Sequence, residues 1–262
     1  MKQKVERISF FLAERIGAWK CVEAITLADS AEFDVYDPYF FISLDVYYRK
    51  EIPEIDERLA AYSGAGAFET SSTVKKDRFL MEGVPVRIEF KDVARITDIL
   101  SFKPETFYVF RQTGTYLFHR LLSARVLFDR DGWISQARES VLNIPPAFWK
   151  GLYESALASA EHYASDIGAA VLKEDPFFYT VSLAGFIKVF SSLVFIINRQ
   201  FEPSGRGIYL TIQELPVHPE HFKGRYESLC GEDPDMTPPR KSELAGLLLK
   251  SLISLASGEF LD

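Results

Sequence analysis

Residues 24–48 read AITLADSAEFDVYDPYFFISLDVYY, and the order of elements inside this stretch sets the expectation for the whole chain. Residues 21–27 predict a strand, and Asp29 and Ser30 a short turn. Asp34, Asp37 and Pro38 are further turn chemistry before a second strand over 39–48. Side chains alternate along a strand, so Phe40, Ile42, Leu44, Val46 and Tyr48 share one face. Tyr39, Phe41, Ser43, Asp45 and Tyr47 share the other. An acid near the end of an otherwise apolar strand marks Asp45 as a candidate functional residue.

Upstream, Val5, Ile8, Leu12, Ile16 and Trp19 recur at helical spacing and predict an amphipathic first helix. Downstream, Pro53 opens a short helix over 53–62, and the Gly- and Ser-rich run 63–72 predicts a loop. Strands follow over 78–82 and 84–90, separated by Gly83. In the second of these, Val86, Ile88 and Phe90 alternate with Arg87 and Glu89, placing the two charged residues on one face. Asp92 is then placed to cap a helix through Leu100.

Beyond Lys103 and Pro104 the pattern turns helical, with a short strand at 125–128 closed by the turn 129–132. The composition shift predicts two domains, 1–104 and 105–262. The fold class expected is α+β, a mixed sheet followed by a helical bundle.

Bulk chemistry narrows the function. Hydrophobic residues make up 47% of the 262, enough to bury a sizeable core. Thirty Lys and Arg against 37 Asp and Glu give a net charge of −7, which argues against a nucleic-acid partner. A local basic pocket for a small phosphate ligand remains open. Cys21 and Cys230 are too few for a disulfide framework and point to a reducing, cytoplasmic setting. The N-terminal residues show no leader pattern. The apolar run 177–198 approaches spanning length, but Lys188 near its middle predicts a buried bundle helix instead of a membrane span. His218 and His221 flank Pro219 without further ligands nearby and read as a loop.

The order of strand, Ser-containing turn, strand with an acid, hairpin and strand with an acid resembles the nucleotidyltransferase superfamily. The likeness is to its antibiotic adenylyltransferase-like small-molecule members with a helical C-terminal domain. Asp29-Ser30 stands where that family has a Gly-Ser turn, Ser43-Leu44-Asp45 where it has an acid pair, and Glu89 where it has a third acid. Residues 117–134 and 195–206 are similar to segments of those helical domains.

The resemblance implies transfer of a nucleoside monophosphate from a Mg²⁺-nucleoside triphosphate to a small-molecule hydroxyl. Asp45 and Glu89 would hold Mg²⁺, since paired carboxylates on neighbouring strands suit two-metal phosphoryl chemistry. Asp29, Ser30 and Ser43 would meet phosphate, and Asn198 and Arg206 would approach the nucleotide. Glu69 is a candidate for the base that activates the acceptor.

Two positions depart from the family pattern. Ser43 replaces an acid and is a poor Mg²⁺ ligand, and Asp29 replaces a glycine with a side chain that hinders and repels phosphate. A catalytically degenerate nucleotide- or ligand-binding protein on the same fold is therefore the alternative expectation. In that case Asp45 and Glu89 belong to a polar sheet face and pair with Arg87 and a helix-borne Lys or Arg.

Overall fold

The computed structural model describes residues 2–28, 39–71, 73 and 75–257, so Asp29, Ser30, Asp34 and Asp37 lie outside the described residues. The chain divides into two compact units, 1–102 with 120–143, and 103–119 with 144–262. A single boundary at 104 does not capture this. Residues 120–143 return to the first unit, and the division falls within one helix.

The first unit begins with α1 (Lys2–Gly17), β1 (Val22–Leu27), β2 (Ile42–Tyr48) and α2 (Ile55–Ala61). It continues through β3 (Ala65–Ser71), β4 (Lys76–Met81), β5 (Val84–Asp92) and α3 (Val93–Ile99). After a 3₁₀ turn at Pro104–Thr106 come α4 (Phe107–Thr113) and α5 (Tyr116–Ser123), then β6 (Arg125–Asp129) and α6 (Trp133–Leu142). The helices α7 (Pro146–Leu172), α8 (Pro176–Ile197), α9 (Ile208–Glu214), α10 (Phe222–Cys230) and α11 (Pro238–Ala256) complete the chain.

Six strands form one mixed sheet in the order β3-β4-β5-β2-β1-β6. Only β2 and β5 run parallel among these neighbours; β1 pairs antiparallel with β2 and β6, and β4 with β3 and β5. The alternation read from the sequence decides which face is which. Ile42, Leu44, Val46 and Tyr48 of β2 and Val86, Ile88 and Phe90 of β5 join one apolar cluster with Val5, Ile8, Leu12 and Ile16 of α1. The opposite face carries Ser43, Asp45 and Tyr47 beside Arg87, Glu89 and Lys91. Tyr47 is buried there against Trp133 of α6, ring centroids 4.9 Å apart.

Local chemistry fixes the strand ends. Glu82 and Gly83 both adopt positive φ, 51° and 77°, which matches the twist of a tight hairpin between β4 and β5. Asp92 accepts a hydrogen bond from the Ala94 amide at 2.8 Å and caps α3, as its position predicts.

The expected loop at 63–72 is strand β3. Its Gly, Ala and Ser content carries little strand propensity, and pairing with β4 supplies the order. The ladder breaks between Gly66 and Glu69, where Ala67 takes φ 50°, consistent with a bulge. Behind it, buried Asp77 accepts from Tyr62 at 2.8 Å and Thr70 at 2.7 Å and pairs with Arg58 of α2 at 3.2 Å.

In the second unit α7 and α8 are consecutive long helices packed along each other. By length and composition α8 is apolar enough to cross a membrane, yet half of its most apolar window is buried. Phe186, Phe190, Leu193 and Val194 lie in the interior, as a bundle helix requires.

Candidate functional site

The register of the sheet places Lys76, Glu89, Asp45 and Thr26 side by side across β4, β5, β2 and β1. Asp45 and Glu89, expected to converge, are direct neighbours on the parallel pair. Ser43 lies two residues earlier on the same face, opposite Arg87.

What meets these acids is cationic. Arg120 of α5 reaches Asp45 with two nitrogens, Nε to Oδ2 at 2.5 Å and a terminal nitrogen to Oδ1 at 2.8 Å. The same terminal nitrogen donates to Ser43 Oγ at 2.7 Å. Lys91 Nζ adds a contact to Asp45 Oδ2 at 2.9 Å. The Asp45 and Arg120 side chains retain 0% and 3% exposure, so this fork is made almost out of water. Bidentate, charge-assisted geometry of this kind fixes orientation as well as energy.

Glu89 is neutralised in the same way, by Lys76 at 3.1 Å and Arg87 at 3.2 Å. Burial pushes its carboxyl up, but the fields of Arg120, Lys91 and Arg87 and the Lys76 hydrogen bond outweigh that and hold it below the usual glutamate value. Arg87 also stacks its guanidinium 4.0 Å from the Phe41 ring centroid. Burial, followed by the charge of Asp45, raises the Tyr47 hydroxyl well above its ordinary value.

Arg120 is held from behind. Arg138 of α6 donates to the carbonyls of Leu121 at 2.8 Å and Ala124 at 2.5 Å, satisfying the open end of α5. Reading the sequence stretch by stretch does not single out Arg120. The available signal is a cation in the short, largely apolar run YLFHRLLS, the helical counterpart of an acid in an apolar strand.

These donors do not fit Mg²⁺. Both oxygens of Asp45 are engaged by protein cations, Ser43 is neutral, and Glu89 is ion-paired. Among the described residues no cluster of three or more His, Cys, Asp or Glu is placed to hold a metal ion.

Of the remaining expected residues, Glu69 lies on the same sheet but apart from Asp45. Glu69 is exposed on edge strand β3 opposite Arg78, with β4 and β5 between it and β2. At about 4.8 Å per strand that separation is roughly 14 Å, too far for a shared reaction centre. Asn198 belongs to the second unit and spends its amide there, donating to Val194 and Val217 carbonyls and accepting from the Val217 amide. Arg206 is exposed in the loop before α9 of the same unit. Asp29 and Ser30 lie outside the described residues.

Comparison with known proteins is informative about the fold. A domain of unknown function, DUF4037, matches residues 111–206. The crystal structure of a nucleotidyltransferase-like protein from Exiguobacterium sibiricum 255-15 is similar at a TM-score of 0.53. That likeness covers 98% of this chain and 78% of the other, with 10% sequence identity. No curated protein matches. The chain therefore has a nucleotidyltransferase-like α+β fold, and at this identity the likeness extends to fold alone. It does not reach the antibiotic adenylyltransferase subfamily or its acid pair.

Proposed function

We propose that this protein binds a nucleotide, or another small phosphate-bearing ligand, on its nucleotidyltransferase-like fold without Mg²⁺ and without nucleotidyl transfer. The observation that carries this reading is the buried Arg120–Asp45 fork. Two-metal phosphoryl chemistry needs carboxylates that bridge divalent ions, and here a guanidinium and an ammonium stand against the carboxylate.

The cationic rim supports the choice of ligand. Among the described residues, Lys76, Arg87, Lys91 and Arg120 gather on Asp45 and Glu89. Lys91, Lys76 and Arg87 keep 16%, 19% and 25% side-chain exposure, so the rim of the cluster meets solvent while its base does not. Guanidinium and ammonium groups at such a rim suit phosphate oxygens, even in a chain of net charge −7.

Transfer of a nucleoside monophosphate to a small-molecule hydroxyl is the competing reading, and it requires Arg120 to yield Asp45 to a metal. Calorimetric titration of ATP and other nucleoside triphosphates, in EDTA and in Mg²⁺, separates the two. Binding that survives EDTA and weakens in Lys91→Gln supports the proposal. Binding that appears only with Mg²⁺, accompanied by pyrophosphate release on adding acceptor, overturns it.

A further inference from the structure

The second unit contains a polar site of its own. Glu202 is 6% exposed, and among the described residues its carboxylate is held by neutral donors. Ser192 Oγ donates to Oε1 at 2.6 Å, and Thr115 donates to Oε2 from its amide and, at 3.1 Å, from its hydroxyl. In return the Glu202 amide donates to Thr115 Oγ1 at 2.9 Å. No cation is recorded within ion-pair distance of this carboxylate among the described residues.

A clamp does not explain an ionisable group there. Glutamine would accept the Thr115 bonds through its oxygen and donate its amide to Ser192, without bringing a carboxyl into the interior. A buried carboxylate facing only neutral donors is stabilised most by a cation brought from outside.

The space for one adjoins it. Glu202, Thr115 and Ser192 line a partly open cavity of about 40 Å³, together with the rings of Phe107 and Phe110 and with Ala156 and Ser159 of α7. That volume corresponds to roughly three water positions. Ser159 Oγ donates to the Ser155 carbonyl at 3.0 Å, which leaves its lone pairs able to accept. Phe107 and Phe110 give the cavity an aromatic lining, a residue type that cations favour.

We infer that this cavity takes a small primary ammonium group, with Glu202 as its counter-charge and the serine hydroxyls and phenylalanine rings completing its shell. An anion is repelled, and a neutral alcohol leaves the charge uncompensated.

Ethylammonium chloride is the probe, with sodium chloride at equal ionic strength and ethanol as controls. Amide chemical shifts of Thr115 and Ser192 report binding in the full chain. The expected result is a saturable shift with ethylammonium alone, weakened about tenfold or more in Glu202→Gln. Ala156→Leu fills the cavity without altering Glu202 and is expected to abolish the shift, which keeps the test decisive should Glu202→Gln fold poorly. Equal responses to ethylammonium and sodium, or full binding by Ala156→Leu, would overturn the inference.

Discussion

Arg120 meets both oxygens of the Asp45 carboxylate from 75 residues away, at 2.5 and 2.8 Å, with both side chains buried. This contact ties α5 to the polar face of the sheet within the first unit. It also decides the chemistry of that face, because the carboxylate expected to hold a divalent ion already has a cation of its own.

Breaking one half of the fork strands the other. Asp45→Asn leaves the Arg120 guanidinium buried beside a neutral amide, and a loss of about 3–5 kcal/mol is expected from urea denaturation. The pair Asp45→Leu with Arg120→Met should recover much of that loss, since the buried guanidinium and carboxylate leave together and only the partly exposed Lys91 loses a partner. A double variant as unstable as the sum of its singles would show that the two side chains act independently.

Glu89 gives a pH dependence of defined sign. Burial raises its carboxyl, but the surrounding cations dominate and set the folded value below the unfolded one. The folded chain therefore holds fewer protons at this site through the intervening range, and stability rises with pH there. The contribution is complete above about pH 4.3, the unfolded glutamate value, and is lost as pH falls through the lower folded value. Wild type should exceed Glu89→Gln in urea midpoint near neutrality, with the gap closing in acid. A gap independent of pH would contradict this assignment.

Sequence periodicity made the sheet core legible, because Ile42, Leu44, Val46 and Val86, Ile88, Phe90 each follow a strict period of two. The same alternation put Asp45 and Glu89 on the polar faces of two strands, and the parallel register makes them neighbours. Arg120 was hidden for a physical reason. Its partner is distant in the chain, and a helical arginine ordinarily faces water. Strand β3 was obscured by Gly, Ala and Ser residues whose order comes from pairing with β4. The return of β6 and α6 to the first unit leaves no compositional mark, and α9 and α10, at 7 and 9 residues, are too short for a clear helical period.

Gly114 sits where no other residue fits. Its φ of 59° and ψ of −158° fall in a region open essentially to glycine alone. A Cβ there would also run into the Glu202 carboxylate. Gly114→Ala should lower stability by about 2 kcal/mol or more, read as a drop in Tm. An unchanged Tm would mean that the Thr115–Glu202 clamp is not rigid.

The network beneath the β3–β4 hairpin offers a smaller, local test. Tyr62→Phe removes one of two hydroxyl donors to buried Asp77 and leaves Arg58 as its ionic partner. A loss of about 1–3 kcal/mol is expected, with faster hydrogen exchange confined to β3 and β4. Destabilisation spread evenly over the sheet would contradict a local role.

The central claim is that protein cations occupy the place of a metal beside Asp45. Mn²⁺ titration followed by the paramagnetic signal of the free ion, on wild type and Asp45→Asn side by side, tests it most directly. No Mn²⁺ uptake that depends on Asp45 is expected. Stoichiometric uptake by wild type that disappears in Asp45→Asn would contradict it.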